Sequence, residues 1–142
     1  MQMPIKKFLV ARIALFVAAF YTILLTVSSL VKLGKISVGG FSPTDKLLHL
    51  GAYFGLLVLW KVYFMLKNKP KSTYRNNLFK IAGLAVLFGM LIEVLQGVLT
   101  SYREPDWFDI LANTAGILLA VVIFLFFEKS LKRLNSKINL IF

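Results

Sequence analysis

The 142-residue chain contains no cysteine, one histidine, four prolines and six acidic residues. Without cysteine there are no disulfides and no thiol chemistry, although this says nothing about redox compartment. His49 with Asp45, Glu93 and Asp109 could hold a divalent metal, but a single histidine among scattered acids is a weak metal signature, so no metal and no other cofactor is expected. The signatures GxSxG and HExxH and the paired-aspartate motif of phosphatidyl transferases are missing, as are internal repeats and low-complexity segments. Acids are scarce against 17 lysines and arginines, giving a net charge of +11. Such a charge can mark a nucleic-acid binder, but here the basic residues flank apolar runs. That placement is a topology signal, and no nucleic-acid partner is expected.

What the chain does have is hydrocarbon. Hydrophobic residues make up 58% of it, and its mean hydropathy is +0.78. That is too apolar for a soluble fold of this length. Four stretches approach the roughly 20 residues that cross a bilayer: 13–31, 47–66, 81–100 and 110–127. The first run exceeds the usual core of a cleaved signal peptide and reads as a retained helix. The expected fold is all-α: one polytopic membrane domain over residues 1–142, with four transmembrane helices in a compact bundle. A four-span arrangement with a cytoplasmic N-terminus leaves only Lys32, Lys35, Lys46 and Arg103 of the 17 basic residues outside. This asymmetry places both termini in the cytoplasm. The tail, 128–142, carries Leu131, Leu134, Ile138 and Ile141 on one side with basic residues between them. It is expected to lie as an amphipathic helix on an anionic inner leaflet.

Acids influence topology little, yet Asp45, Glu93, Glu104, Asp106 and Asp109 all fall in the outer half, and only Glu128 lies inside. In the stretch SPTDKLLHLGAY, Ser42 suits an N-cap, Pro43 the first helical position and Asp45 the first turn. Asp45, His49 and Tyr53 then follow at i, i+4 and i+8 on one helical stripe. The third span carries Gly89, Glu93, Gln96 and Thr100 on one face. Glu93 is seven residues before Thr100, about 10 Å below the outer interface. Asp106 suits the N-cap of the fourth helix. Asp109, Asn113 and Gly116 follow at i, i+4 and i+7. Three helices thus present polar groups at one depth, where ionisable side chains are costly and point to a site.

Each group also has an ordinary explanation. Asp45 and Asp109 are first-turn acids that complement a helix dipole, Lys46 and Arg103 are interfacial anchors, and His49 is a packing hydrogen bond. Glu93 with Gln96 is harder to place, because a buried acid must be neutralised, paired or hydrated. Lys46 and Arg103 are the expected counter-ions for Glu93.

The segments DKLLHLGAY (45–53) and EVLQGVLTSYREPDWFDILANTAG (93–116) resemble the VanZ-like family of small bacterial membrane proteins. The matching positions are Asp45, Lys46, His49, Tyr53, Glu93, Gln96, Arg103, Asp109, Asn113 and Gly116, over roughly residues 15–125, with Asp106 at a more variable position. The resemblance implies a multi-pass protein of the bacterial inner membrane, linked to teicoplanin susceptibility as a cell-envelope accessory or binding factor. Its expected partners are membrane lipids and an amphiphilic envelope precursor or glycopeptide. Read as an enzyme, Glu93, His49, Asp45 and Asp109 are the acid–base candidates, while Lys46, Tyr53, Gln96, Arg103, Asp106 and Asn113 are binding residues. The substrate would be a lipid-linked precursor. Gly116 is structural. A proton or solute pathway is the third reading.

Overall fold

The computed structural model describes residues 5–31, 43–67, 74–101 and 105–141. They form five helices: α1 (Ile5–Leu30), α2 (Pro43–Lys67), α3 (Tyr74–Leu99), α4 (Trp107–Phe126) and α5 (Glu128–Ile141). The first four are long and apolar enough to cross a membrane. Each begins before the apolar window read from the sequence, because residues ahead of the hydrocarbon-compatible stretch continue the helix, while the C-terminal ends agree to within one residue.

Local chemistry sets several of these boundaries. Asp106 has an extended backbone (φ −110°, ψ 113°), and its carboxylate accepts the N–H of Phe108 at 2.8 Å. It is therefore the N-cap of α4, supplying one of the acceptors that the first turn lacks. Asp109 lies in the first turn of α4 and Asp45 in that of α2. The proposed cap at Ser42 lies outside the described residues. Phe127 interrupts the run between α4 and α5, with its N–H on the carbonyl of Ile123 at 3.0 Å. Hydroxyls on the spans find acceptors within their own helix, as Thr22 does on Ala18, Thr26 on Thr22 and Thr114 on Ile110, each at 2.8 Å. A hydroxyl facing hydrocarbon needs such a partner.

α2 is central and packs on α1, α3 and α4, and its pairing with α4 is the most extensive. The core is built from Tyr53, Leu56 and Leu57 of α2, Leu78, Ile81 and Ala85 of α3, and Ile117, Ala120, Val121 and Phe124 of α4. α1 joins through Leu25, through Tyr21, whose hydroxyl donates to the carbonyl of Ala52 at 2.9 Å, and through the Thr22 hydroxyl, which accepts from the indole of Trp60 at 3.1 Å. The outward faces are apolar, with Phe16, Phe20, Val98 and Phe126 each about 70–80% exposed. In water such a surface would be an association hazard, whereas in lipid it is the ordinary exterior of a bundle.

The closest approach of the two main helices is at Gly116. A Cβ there would stand 2.1 Å from the carbonyl oxygen of Leu50, a backbone atom of α2. A second small residue, Gly97 of α3, lets Pro105 fold down on it; its Cβ would meet the proline ring at 2.5 Å. These two contacts fix where the α3–α4 hinge lies relative to α2.

α5 turns Glu128, Leu131 and Asn135 toward the bundle, while Leu134 is half exposed. The apolar stripe read from the sequence is therefore divided between protein and surroundings. Leu131 packs on the core, and the side chain of Ile141 lies outside the described residues.

Candidate functional site

One end of the bundle collects the starts of α2 and α4 and the ends of α1 and α3. Its centre is Lys46, whose ammonium donates to Asp106 Oδ2 at 2.5 Å and to Asp109 Oδ1, with Asp45 Oδ2 at 3.9 Å. The first turns of two helices and the hinge between α3 and α4 thus share a single cation. The hydrogen bond from Lys46 holds the Asp106 carboxyl below the usual range, helped by the Phe108 N–H, while partial burial works against it.

His49, one turn along α2, continues the network. Its Nδ1 lies 3.1 Å from Asn113 Oδ1, and its Nε2 lies 3.5 Å from Asp109 Oδ2 and 4.0 Å from Asp45 Oδ1. Both aspartates divide their work, one oxygen facing Lys46 and the other facing the imidazole. One donor atom from each of Asp45, His49 and Asp109 lies within 4.8 Å of the other two. These three are the described residues that can hold a metal.

Beneath the ring, Tyr53 and Asn113 are each 2% exposed and pack against Gly89. A Cβ there would stand 3.1 Å from the tyrosine ring and 3.4 Å from Asn113 Nδ2. The Tyr53 hydroxyl and Asn113 Nδ2 have no hydrogen-bond partner among the described residues. Glu93, 1% exposed, accepts the backbone N–H of Asp106 on Oε2 at 3.4 Å. Gln96 takes a different role. Its amide donates to the carbonyl of Ser29 at 2.9 Å, tying α3 to the end of α1. Arg103 lies outside the described residues.

The structure therefore draws Asp45, Lys46, His49, Asp106, Asp109 and Asn113 into one contiguous cluster. Glu93 joins it through the backbone of Asp106, Tyr53 and Asn113 share the floor, and Gly116 supplies the close approach. The ion pairs of Lys46 go to aspartates, where the sequence suggested Glu93 as its partner. The reason is register: the hinge, folded over Gly97, brings Asp106 and Asp109 to the first turn of α2.

A second polar cluster, at the opposite end, was not foreseen as a unit. Lys61 is 1% exposed, donates to the carbonyl of Tyr74 at 2.7 Å and stands 3.6 Å from the centre of that ring. The Tyr74 hydroxyl donates to the carbonyl of Phe124 at 2.8 Å. Arg75 and Lys132 both bind Glu128, at 2.7 and 2.5 Å, and hold its carboxyl below its ordinary value, Lys132 contributing most. The available signal was Lys61 itself, a charge inside an apolar window.

Comparison with curated proteins and with solved structures yielded no match. The VanZ/LLP1 family model matches residues 4–128, a range that includes every residue of the polar cluster and all four long helices. The chain belongs to the VanZ/LLP1 family.

Proposed function

We propose that this chain is a binding or accessory factor of the bacterial cell envelope, that its polar end faces outward, and that its activity bears on susceptibility to teicoplanin. The observation that carries this reading is the state of Lys46. Its ammonium is already ligated by aspartates from two helices and a hinge, so it is a fixed part of a preformed acidic surface and not a loose clamp for a substrate phosphate. Outward orientation rests on the charge asymmetry, since the opposite end carries Lys61, Lys67, Arg75, Lys80, Lys129 and Lys132. An acidic, partly exposed cluster at the outer interface suits the cationic group of an amphiphile entering from the outer leaflet.

A second reading, a membrane enzyme acting on a lipid-linked precursor, is favoured by one geometry: the His49 imidazole beside the Asp109 carboxylate at 3.5 Å, a pairing used in general acid–base chemistry. One experiment separates the two. A strain lacking the protein is complemented with the wild-type chain or with Asp109→Asn, and both teicoplanin susceptibility and the lipid-linked precursor profile are measured. A binding factor changes susceptibility, loses the effect in Asp109→Asn and leaves the precursors untouched. A shifted precursor pool transfers the case to the enzyme. Identical susceptibility and identical precursors in every strain would end both.

A further inference from the structure

We propose that Asp45, His49 and Asp109 form a binding site for one divalent first-row metal ion of the Zn²⁺ or Mn²⁺ class. This goes beyond the envelope role and does not depend on it.

The geometry comes first. Metal–ligand bonds of about 2.0–2.2 Å in a tetrahedral site put neighbouring ligand atoms about 3.3–3.6 Å apart. His49 Nε2 lies 3.5 Å from Asp109 Oδ2 and 4.0 Å from Asp45 Oδ1. All three donor atoms lie within 4.8 Å of one another, so the two His49 sides are already close to bonding separation and the carboxylates draw together on an ion. An imidazole with two carboxylates is also the mixed donor set that such ions accept.

The orientation of the ring is the second argument. Nδ1 faces Asn113 Oδ1, a carbonyl oxygen that can only accept, so Nδ1 carries the hydrogen. Nε2 is then the nitrogen left facing two carboxylates, an arrangement that calls for a positive charge between them, a proton or a metal ion. Histidine ligands are held in this way in metal sites, one nitrogen on the metal and the other donating to a carbonyl or carboxylate.

Charge and burial agree. The carboxylates of Asp45, Asp106 and Asp109 converge on the one ammonium of Lys46. Lys46 faces Asp45 Oδ2 and Asp109 Oδ1 and leaves Asp109 Oδ2 and Asp45 Oδ1 toward His49. Asp109 is buried while the Asp45 side chain is 40% exposed, which gives an ion a route from solvent. Asn113 Oδ1 holds the Nδ1 side of the ring, so Nε2 stays turned to the two carboxylates. A metal with three protein ligands keeps its remaining position for water.

The chain's single histidine makes the test clean. The full-length protein, purified with a non-histidine tag and labelled with ¹⁵N-histidine, gives imidazole signals from His49 alone. Zn²⁺ should shift Nε2 in a saturable manner at one equivalent per chain while Nδ1 stays protonated, and Mn²⁺ should broaden the same signals. Asp109→Asn and Asp45→Asn should each weaken binding at least tenfold, and Asn113→Ala by about 10–100-fold. Asp45→Asn alters a half-exposed side chain, so it remains informative if the buried variants fail to fold. The proposal is overturned if saturating Zn²⁺ and Mn²⁺ leave the Nε2 signal unchanged, which would make a proton the occupant. Equal binding in wild type and Asp45→Asn would overturn it too, placing the ion elsewhere.

Discussion

Replacing Gly116 with alanine tests the packing that carries the whole polar end. The added Cβ would stand 2.1 Å from the Leu50 carbonyl oxygen, 2.9 Å from its carbonyl carbon and 3.1 Å from its Cα, against the 3.4 Å at which ordinary contact begins. The shortfall is about 1.3 Å at the oxygen. Neither side can yield locally, because the opposing atoms belong to helix backbone and not to the tip of a flexible side chain. α2 and α4 must therefore separate at this level. Overpacking of this kind typically costs about 1–3 kcal/mol. Gly116 is one turn from Asn113, and Leu50 adjoins His49, so the 3.1 Å contact between those two side chains is lost as well. That adds about 0.5–1.5 kcal/mol. Alanine's better helix propensity returns about 1 kcal/mol. The net expectation is a loss of about 2 kcal/mol, roughly 30-fold in the unfolding equilibrium. Unfolding in mixed micelles, followed by far-UV circular dichroism, measures it. Gly51→Ala and Gly83→Ala are the controls, since a Cβ at either meets nothing within 4 Å; both should be neutral or slightly stabilising. A Gly116→Ala chain as stable as these controls would refute the close-packing argument.

Three further outcomes follow from the caps and the opposite cluster. Asp106→Ala removes the acceptor of the Phe108 N–H and a ligand of Lys46, and should cost about 0.5–2 kcal/mol; Asp106→Asn, which keeps a capping oxygen, should cost less in the same unfolding assay. Tyr74→Phe deletes the hydroxyl bound to the Phe124 carbonyl and should lower stability by about 0.5–1.5 kcal/mol, visible as faster amide exchange at the end of α4. Glu128 is paired with Lys132 and Arg75, so its carboxyl titrates below the ordinary value. A depressed acid stabilises fully above its unfolded pKa of about 4.3 and loses that contribution as pH falls through the folded value. A spin label on Ser136→Cys, in a chain with no other cysteine, should report a docked α5 at neutral pH that loosens below about pH 4. In Glu128→Gln it should be equally mobile throughout; an unchanged pH profile in that variant would remove Glu128 from the account.

Periodicity made much of this visible in advance. Apolar length identified four spans, and the i, i+4 spacing put Asp45, His49 and Tyr53 on one stripe and Asp109, Asn113 and Gly116 on another. The Asp106 cap was legible because N-capping is local chemistry. Pairing between stripes was not, since it depends on helix register. Register here is set by Gly116 against Leu50 and Gly97 against Pro105, contacts between residues whose individual signals are merely those of glycine and proline. Hence the partner of Lys46 was read as Glu93 when its ammonium lies on Asp106 and Asp109. Lys61 shows the same limit. As one more basic residue near an inner interface it looked like a topology marker. Only the fold reveals an amine buried against the ring and carbonyl of Tyr74. In α5 the heptad-like leucines gave the helix but not its docking, because Glu128 and Asn135 outcompete Leu134 for the face toward the bundle.

The two polar clusters have a common logic that apolar packing could not supply. Between helices in lipid, leucine against leucine gains little over leucine against acyl chain, so register must come from close backbone approach and from polar groups that lack other partners. α2 carries both kinds of device. Lys46 and Lys61, 15 residues and therefore about 22 Å apart along the helix, each place an ammonium among groups of other helices, with the Leu50–Gly116 contact between them. Lys46 and the Leu50–Gly116 contact set α2 against α4, and Lys61 sets it against the start of α3. Loss of the Lys46 pairs would loosen the first turn of α2, while the Leu50–Gly116 and Lys61–Tyr74 contacts still hold the rest of the helix.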